Sequence, residues 1–493
     1  MFESSETVVI QTFMLLAMVV ACAWSSYREM PHFYLHPLVL ASLFHFLPSY
    51  ILPNLFNWQT NSVHELERLL GPEAYYWKNC AMLAVNLSFL SLWAGYRFNM
   101  FKGIAKYPGR LIDQYAIYDV GKKPDLLVIV ALILMSFLGP IVLIRVGAFG
   151  YFSDYQGLRD SQSTAQWVHV LSSCGRLALL VLAITVFSDV KQHRLLWVVL
   201  FVFSLSQQVF FGIVGGFKGE VVIPFAIVGL AYYLVRRRIG WTWVAAGAIA
   251  LVFAFHIIEP LRRDRLKAID LDNRNVSQVV AFASSSVANT LLEARGESVS
   301  SFSVELLFGR SGLTECAALA IDLVDSGRFA NSSPPEFVKN LFLIPLNAFI
   351  PRFLWPEKTV TDDGQWFTIH GLGRPESMRS STGYSPQAYF YFCGGYFGVV
   401  IGFFVLGAVD RMLVKMLMYK TLGHWIVYFG IIYHVATIDS NVAAAWTGIV
   451  RYFPFLVLAQ WLVVSKDSLS VSTVPGAAPN SPALANSTPR VRP

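Results

Sequence analysis

Residues 241–267 read WTWVAAGAIALVFAFHIIEPLRRDRLK. From 241 to 258 the run holds no Asp, Glu, Lys or Arg. The hydrocarbon core of a bilayer offers no water to backbone N–H and C=O groups, so a run this apolar crosses it as a helix or not at all. At 259-EPLRRDRLK-267 the character reverses and the chain leaves the membrane. Working outward from this stretch, similar apolar runs lie near 8–25, 34–53, 76–97, 125–144, 166–187, 194–214, 219–235, 385–409, 423–437 and 445–464. At roughly 20 residues per crossing they make about 11 spans.

Composition agrees. The chain has 493 residues, 55% of them hydrophobic and only 14% charged, with mean hydropathy +0.51. Soluble domains carry nearer a quarter charged residues. The expected fold is therefore all-α, a polytopic integral membrane protein with one large extracytoplasmic loop. Residues 1–260 form a transmembrane scaffold of about 8 helices. Residues 261–384 form the loop, 385–465 hold three closing helices, and 466–493 form a tail. That tail, KDSLSVSTVPGAAPNSPALANSTPRVRP, is rich in Ser, Pro and Ala and reads as disordered.

Orientation follows from Lys and Arg in the short loops. Lys102, Lys106, Arg110, Lys122 and Lys123 lie in 98–124, Arg236, Arg237 and Arg238 in one turn, and Arg411, Lys415 and Lys420 after 409. With about eleven spans these fall on one side, which is then cytoplasmic. The loop at 261–384 faces outward, since long loops translocate largely regardless of charge. The net charge of +7 is then a topology and lipid-headgroup signal, not a nucleic-acid one. The first span reads as a retained anchor, because no positive charge precedes it. The five cysteines have no metal-ligand spacing. Two similar inverted halves, as in many transporters, are absent from the hydropathy pattern.

Within the loop, 279–292 and 302–323 read as short helices with apolar stripes. The apolar stretch 337–354 is cut by Pro345 and Pro351, too short to span, and suited to lying in the interface. The sequence from 355 to 383 reads as ordered loop.

Four constellations carry chemistry. In 215-GGFKGE-220, glycines allow close backbone approach and Lys218 offers a point charge suited to phosphate; the plainer reading is a tight turn with a snorkelling lysine. It is not a P-loop, whose spacing is different. In 259-EPLRRDR-265, Arg262, Arg263 and Arg265 sit at headgroup depth. Arginine forks match diphosphate oxygens, although interface anchors look the same. The segment 351-PRFLWPEKTVTDDGQWFTIHGLGRPESMRSSTGYSP-386 interleaves Arg352, Lys358, Arg374 and Arg379 with Trp355 and Trp366. Cations hold oxyanions while aromatic faces stack on sugars. His370 offers an imidazole that can accept a hydroxyl proton; alternatively it is a satisfied loop histidine. Asp362 and Asp363 without further ligands read as a solvated turn rather than a metal site. Finally, Arg310 in 308-FGRSG-312 closes the cluster or caps a helix.

Three of these features, in this order, resemble the oligosaccharide repeat-unit polymerases of bacterial envelopes (the Wzy-type, O-antigen polymerase-like family). They are the GGFKGE turn, the stretch 343-LIPLNAFIPRFLWPEK-358, and the glycine-rich 382-TGYSPQAYFYFCGGYFGVVIGFFVLG-407. The resemblance implies a GT-C-like, metal-independent membrane glycosyltransferase with no cofactor. It would join polyprenyl-diphosphate-linked oligosaccharides on the extracytoplasmic side of the bacterial inner membrane. Its partners would be membrane lipid, a chain-length regulator and a flippase, with no nucleic acid. Carried onto this chain, the family's phosphate-reading cations fall on Lys218, Arg352 and Lys358. Arg262, Arg265, Arg310, Arg374, Arg379 and His370 join them on position and chemistry, with His370, Arg352 and Arg262 nearest the reaction. A flippase or transporter for the same lipid-linked sugars, and an O-antigen ligase-like enzyme, are the rival readings. A transporter would need charged groups deep within its spans.

Overall fold

The computed structural model describes residues 4–29, 33–60, 64–98, 100–101, 103, 109–110, 112–113, 124–152, 162–188, 193–236, 238–267, 274–293, 312–347, 350, 355, 363–375, 382–417, 421–436 and 442–463. Among them the protein is helical throughout, with no strand. The reason is the one read from residues 241–258: long apolar runs bond their backbones internally. Helices form at all eleven apolar segments, and eight are long and apolar enough to cross a membrane. Ala74–Arg97, Gln162–Phe187 and Leu422–Ala436 are the helical segments outside that eight. Many outward side chains are large and apolar, including Leu195, Leu127, Phe397 and Ile249. Apolar surface that extensive is what a lipid-facing helix layer presents.

Contacts between helices fix which ends lie together. Ser5–Glu29 runs parallel to Ala74–Arg97: Gln11 Nε2 donates to Asn79 Oδ1 at 3.3 Å near their starts, and Arg97 pairs with Glu29 at 3.6 Å near their ends. The intervening segment runs the other way, with His36 beside Tyr96 and Asn54 bonded to Met82 Sδ at 3.2 Å. Asp125 N–H donates to Val463 O at 2.7 Å, and Gln460 Nε2 to Gly423 O at 3.1 Å. The start of Leu126–Arg145 therefore sits with the end of Val442–Val463 and the start of Leu422–Ala436. Arg411 pairs with Glu29, Gly150 packs on Gly215 O, and Lys218 contacts Glu259. Traced this way, Ser4, Ala74, Arg145, Gly215, Lys218 and Lys267 gather at one end of the layer. Glu29, Arg97, Asp125, Arg236, Trp241, Leu417 and Val463 gather at the other.

Two helices break the regular pattern. Ser42–Ile51 is a π-helix with Pro48 inside it. Proline has no N–H to donate and its ring crowds the carbonyl four residues back, which a wider turn relieves. The second break is in Pro386–Leu417, where Gly394 and Gly395 are not helical. Gly395 has φ 60° and ψ −149°, a region essentially closed to residues with a Cβ. The chain folds back there. A Cβ on Gly398 would lie 2.2 Å from Phe390 O, and the Phe390 and Phe403 rings pack at 5.5 Å. In one continuous helix residues 390 and 398 would be about 12 Å apart. Residues 386–393 are thus a short helix lying against 396–417, and the latter is about 33 Å long, still enough to cross.

This fold-back changes the reading of the loop. Gln387 Nε2 donates to Ser88 Oγ at 3.1 Å and Tyr50 OH donates to Gln387 Oε1 at 2.6 Å, both halfway along the neighbouring helices. Leu313 N–H donates to Ser49 O at 3.0 Å, and Asn54 Nδ2 to Thr314 Oγ1 at 2.9 Å. The segments beginning at 312 and 382 therefore dip into the helix layer before rising as Thr314–Asp325 and residues 386–393. The chain on both sides of residue 384 packs among the helices of the layer. Non-helical backbone at such depth persists only where protein surrounds it, and Tyr384, Ser385 and Gln387 are all buried.

The other loop expectations fare as follows. Val276–Glu293 is helical, close to the expected 279–292. The helix expected over 302–323 begins at Thr314, and 302–311 lie outside the described residues. Phe337–Asn347 is helical and places Leu341 and Ile344 against the core, while Val338, Phe342 and Leu346 stay exposed on another face. An apolar stripe left outside suits the interfacial position expected for it. The stretch read as loop from 355 to 383 contains the helix Asp363–His370. All five cysteines are free thiols. The tail from 466 lies outside the described residues.

Packing is closest where glycines meet: a Cβ on Gly407 would sit 2.0 Å from Leu92 O, and one on Gly95 2.0 Å from Phe404 O. Gly407→Leu should therefore lower stability by about 1–3 kcal/mol through overpacking. Gly103→Ala, where nothing lies within 4 Å, should stay within about 0.5 kcal/mol. Thermal unfolding in detergent measures both, and equal midpoints for Gly407→Leu and the parent would show that these helices do not meet at Gly407.

Candidate functional site

The 215-GGFKGE-220 turn is built by close backbone approach. Arg194–Gly215 ends on Gly216, which adopts a left-handed conformation (φ 71°, ψ 21°). Residue 150 also has positive φ, and a Cβ there would lie 2.2 Å from Gly215 O. One on Gly212 would press the backbone of Glu220 at 2.8 Å. Gly150, Gly212 and Gly216 are thus demanded by geometry, whereas a Cβ on Gly219 would meet nothing within 4 Å. Together they hold Lys218 at the start of Lys218–Arg236, facing the last turns of Trp241–Lys267.

There the two basic motifs meet. Lys218 Nζ contacts Glu259 Oε1 at 2.5 Å, and Arg262 Nη1 lies 4.0 Å from the same oxygen. Arg262 Nε donates to Gly216 O at 3.0 Å, tying the second motif to the backbone of the first. Lys218 Nζ also sits 3.6 Å above the Phe255 ring, and the Arg265 guanidinium 5.8 Å from Phe152. Nearby, Arg176 Nη2 donates to Glu220 Oε1 at 2.7 Å, and Ser286 Oγ to Asp264 Oδ2 at 2.8 Å. The Lys218, Glu259 and Arg262 side chains are only 15–23% exposed, so water screens this group weakly. Aromatic rings beneath the cations lower the cost of holding them partly dry.

The sequence anticipated Lys218, Arg262 and Arg265 as cations but did not anticipate their partners. Glu220 and Glu259 are letters of the quoted motifs, yet their pairing depends on which helices are neighbours. Arg176 carried a readable signal: it is an arginine inside an apolar run, a placement that needs a partner.

The described part of the third motif packs elsewhere, against Phe329, Phe337 and Phe392. Trp366 is buried among Phe329, Phe337 and Phe392, and its Nε1 donates to Ser332 O at 3.0 Å. In this arrangement its ring is a packing surface rather than an open platform for a sugar. His370 is half-buried with its ring 5.6 Å from Trp366, one helical turn earlier. Arg374 follows, half-buried, with its N–H donating to Thr368 O at 3.2 Å. Trp355 is exposed. Arg310, Arg352, Lys358 and Arg379 lie outside the described residues. Tyr384 and Asp363, both buried, stand beside this group.

Deeper in the helix layer a third polar group collects around Gln387. His45 Nε2 lies 3.4 Å from Gln387 Nε2, completing a set with Tyr50 and Ser88. Lys78 and Asp410 are also buried inside helices of the layer. Among the described residues no cluster of His, Cys, Asp and Glu has the arrangement of a metal site.

Gly150→Val should displace the 215–220 turn and with it Lys218. The expected result is a stability loss of about 1–3 kcal/mol with loss of whatever activity Lys218 supports; full activity at normal protein level would show that the turn does not depend on this contact. No protein-family model matches this chain, and neither a curated protein nor a solved structure does.

Proposed function

We propose that the chain is a membrane glycosyltransferase that polymerises polyprenyl-diphosphate-linked oligosaccharide repeat units into a surface polysaccharide. All eleven apolar helices cross the bilayer in this reading. The end that gathers Arg97, Arg194, Arg236, Arg238 and Arg411 is cytoplasmic, because short loops rich in Lys and Arg stay inside. The end with Lys218 and Arg262 then faces out of a bacterial inner membrane. One observation carries the reading: Lys218 and Arg262, from separate motifs, converge on a single carboxylate oxygen at that end. Two cations held partly dry are what a lipid diphosphate needs, and such anions dock where fixed donors already point.

In the reaction, the growing glycan arrives laterally on its diphosphate carrier. Lys218 and Arg262, with Arg265 and Arg176 close by, bind the diphosphate. A hydroxyl of the second unit attacks the anomeric carbon and gives its proton to a base. The bond from that carbon to the diphosphate oxygen breaks, and the cations stabilise the departing charge. His370 is the base the sequence suggests, and Arg352 and Lys358 would join from the third motif. That role requires the His370 group to meet the Lys218 group in the substrate complex.

The rival reading, a flippase for the same lipid-linked sugars, has support of its own. The break at Gly394–Gly395 and the buried polar set around Gln387 are features that transporters place near the membrane midplane. The position of the phosphate-suited cations at one end of the layer, rather than along a path, favours the polymerase.

Lys218→Ala or Arg262→Ala should cut polymer formation about 100-fold, and Arg262→Lys should also impair it because the fork is lost. Gel analysis of surface glycan reads both, and normal polymer from either alanine variant at normal protein level removes that residue from the site. A deletion strain should show single capped repeat units; their absence would favour the flippase. Labelling of cysteines placed at Ser326 and at Gly240 should find the first accessible from outside and the second from the cytosol, and the reverse pattern ends the proposal.

A further inference from the structure

We infer that Glu259 is an internal stand-in for the phosphate, a carboxylate that holds the cation pair in the unliganded protein and is displaced when the diphosphate binds. The inference rests on the diphosphate-binding reading above and adds a residue that sets its affinity.

Four observations point to it. Glu259 offers one oxygen, Oε1, to both Lys218 and Arg262, as a bridging phosphoryl oxygen would. Its own helix supplies Arg262 one turn later, while Lys218 comes from the neighbouring helix, so the carboxylate fastens two helices at their ends. Arg262 is aligned independently of Glu259, by its bond to Gly216 O, so the fork stays in place when the carboxylate leaves. The neighbouring Arg176–Glu220 contact repeats the device, a cation from one helix against a carboxylate from another, with Glu220 two residues from Lys218.

The physical logic is exchange. A partly buried lysine without an anion is costly, and Glu259 removes that cost while the site is empty. A diphosphate carries more charge than one carboxylate and offers several oxygens, so it wins the exchange where a carboxylate or a single weak anion does not. Displacement frees the Lys218 side chain from the end of Trp241–Lys267, while the Arg262–Gly216 bond keeps the two helix ends together. The cost is affinity: every binding event must first break the Lys218–Glu259 contact.

The test uses the full-length protein in detergent, with farnesyl diphosphate and inorganic diphosphate as probes. Glu259→Gln should bind diphosphate about tenfold more tightly than the parent, about 1.4 kcal/mol. Glu259→Asp, which keeps the charge but draws it back from Lys218, should fall between them. If Glu259→Gln does not fold, Glu259→Asp alone still decides. Farnesyl diphosphate binding more tightly than the inorganic anion identifies a lipid headgroup as the ligand; equal binding identifies the free anion. Equal or weaker binding in both Glu259 variants, with binding still lost in Lys218→Ala/Arg262→Ala, overturns the stand-in role and leaves the site intact. If neither the folded parent nor the Glu259 variants bind diphosphate, the site reading fails and the inference with it.

Discussion

A backbone in hydrocarbon must satisfy its own hydrogen bonds, and almost every feature of this protein follows from that. It makes the chain helical and turns large side chains such as Leu195 and Phe397 outward. It also restricts irregular backbone to places the protein itself surrounds. The two dipping segments, near Leu313 and near Ser385, obey the rule: their backbone and side-chain groups bond to Ser49, Asn54, Tyr50 and Ser88 rather than facing lipid.

The same constraint explains the cation group. Charges near a bilayer are expensive alone and tolerable in partnership. Lys218, Arg262 and Arg176 each lie against a carboxylate from within the helix layer. Such pairs contribute little net stability when polar alternatives exist, because dehydrating both ions offsets their attraction. Their value lies in fixing where the charges stand, and close glycine packing at residues 150 and 212 fixes it further.

The geometry separates three polar groups that look continuous in the chain's chemistry. Lys218 and Arg262 stand together at one end of two adjacent helices. His370 and Trp366 belong to an aromatic group with Phe329, Phe337 and Phe392. Gln387 and His45 lie halfway down the layer. In the proposed polymerase the substrate would join the first two, whereas a flippase would use the third.

The sequence by itself determined the class. Runs such as 241–258 have no stable alternative to a helix in lipid. It also marked Lys218 and Arg262 as glycine-flanked and clustered cations at a membrane boundary, a pattern that a snorkelling lysine and interface anchors share. It did not determine the partners of those cations, since Glu259 and Glu220 read as ordinary motif letters until the helices become neighbours. Nor did it reveal the fold-back at Gly394–Gly395, where a glycine pair inside an apolar run looks like an ordinary small-residue helix face. Trp366 was legible as an aromatic beside cations, yet its burial depends on Phe329 and Phe392, distant in sequence. Helix formation is decided by local bonding and is written locally; pairing and burial arise from contacts between distant segments, and only the tertiary structure decides them.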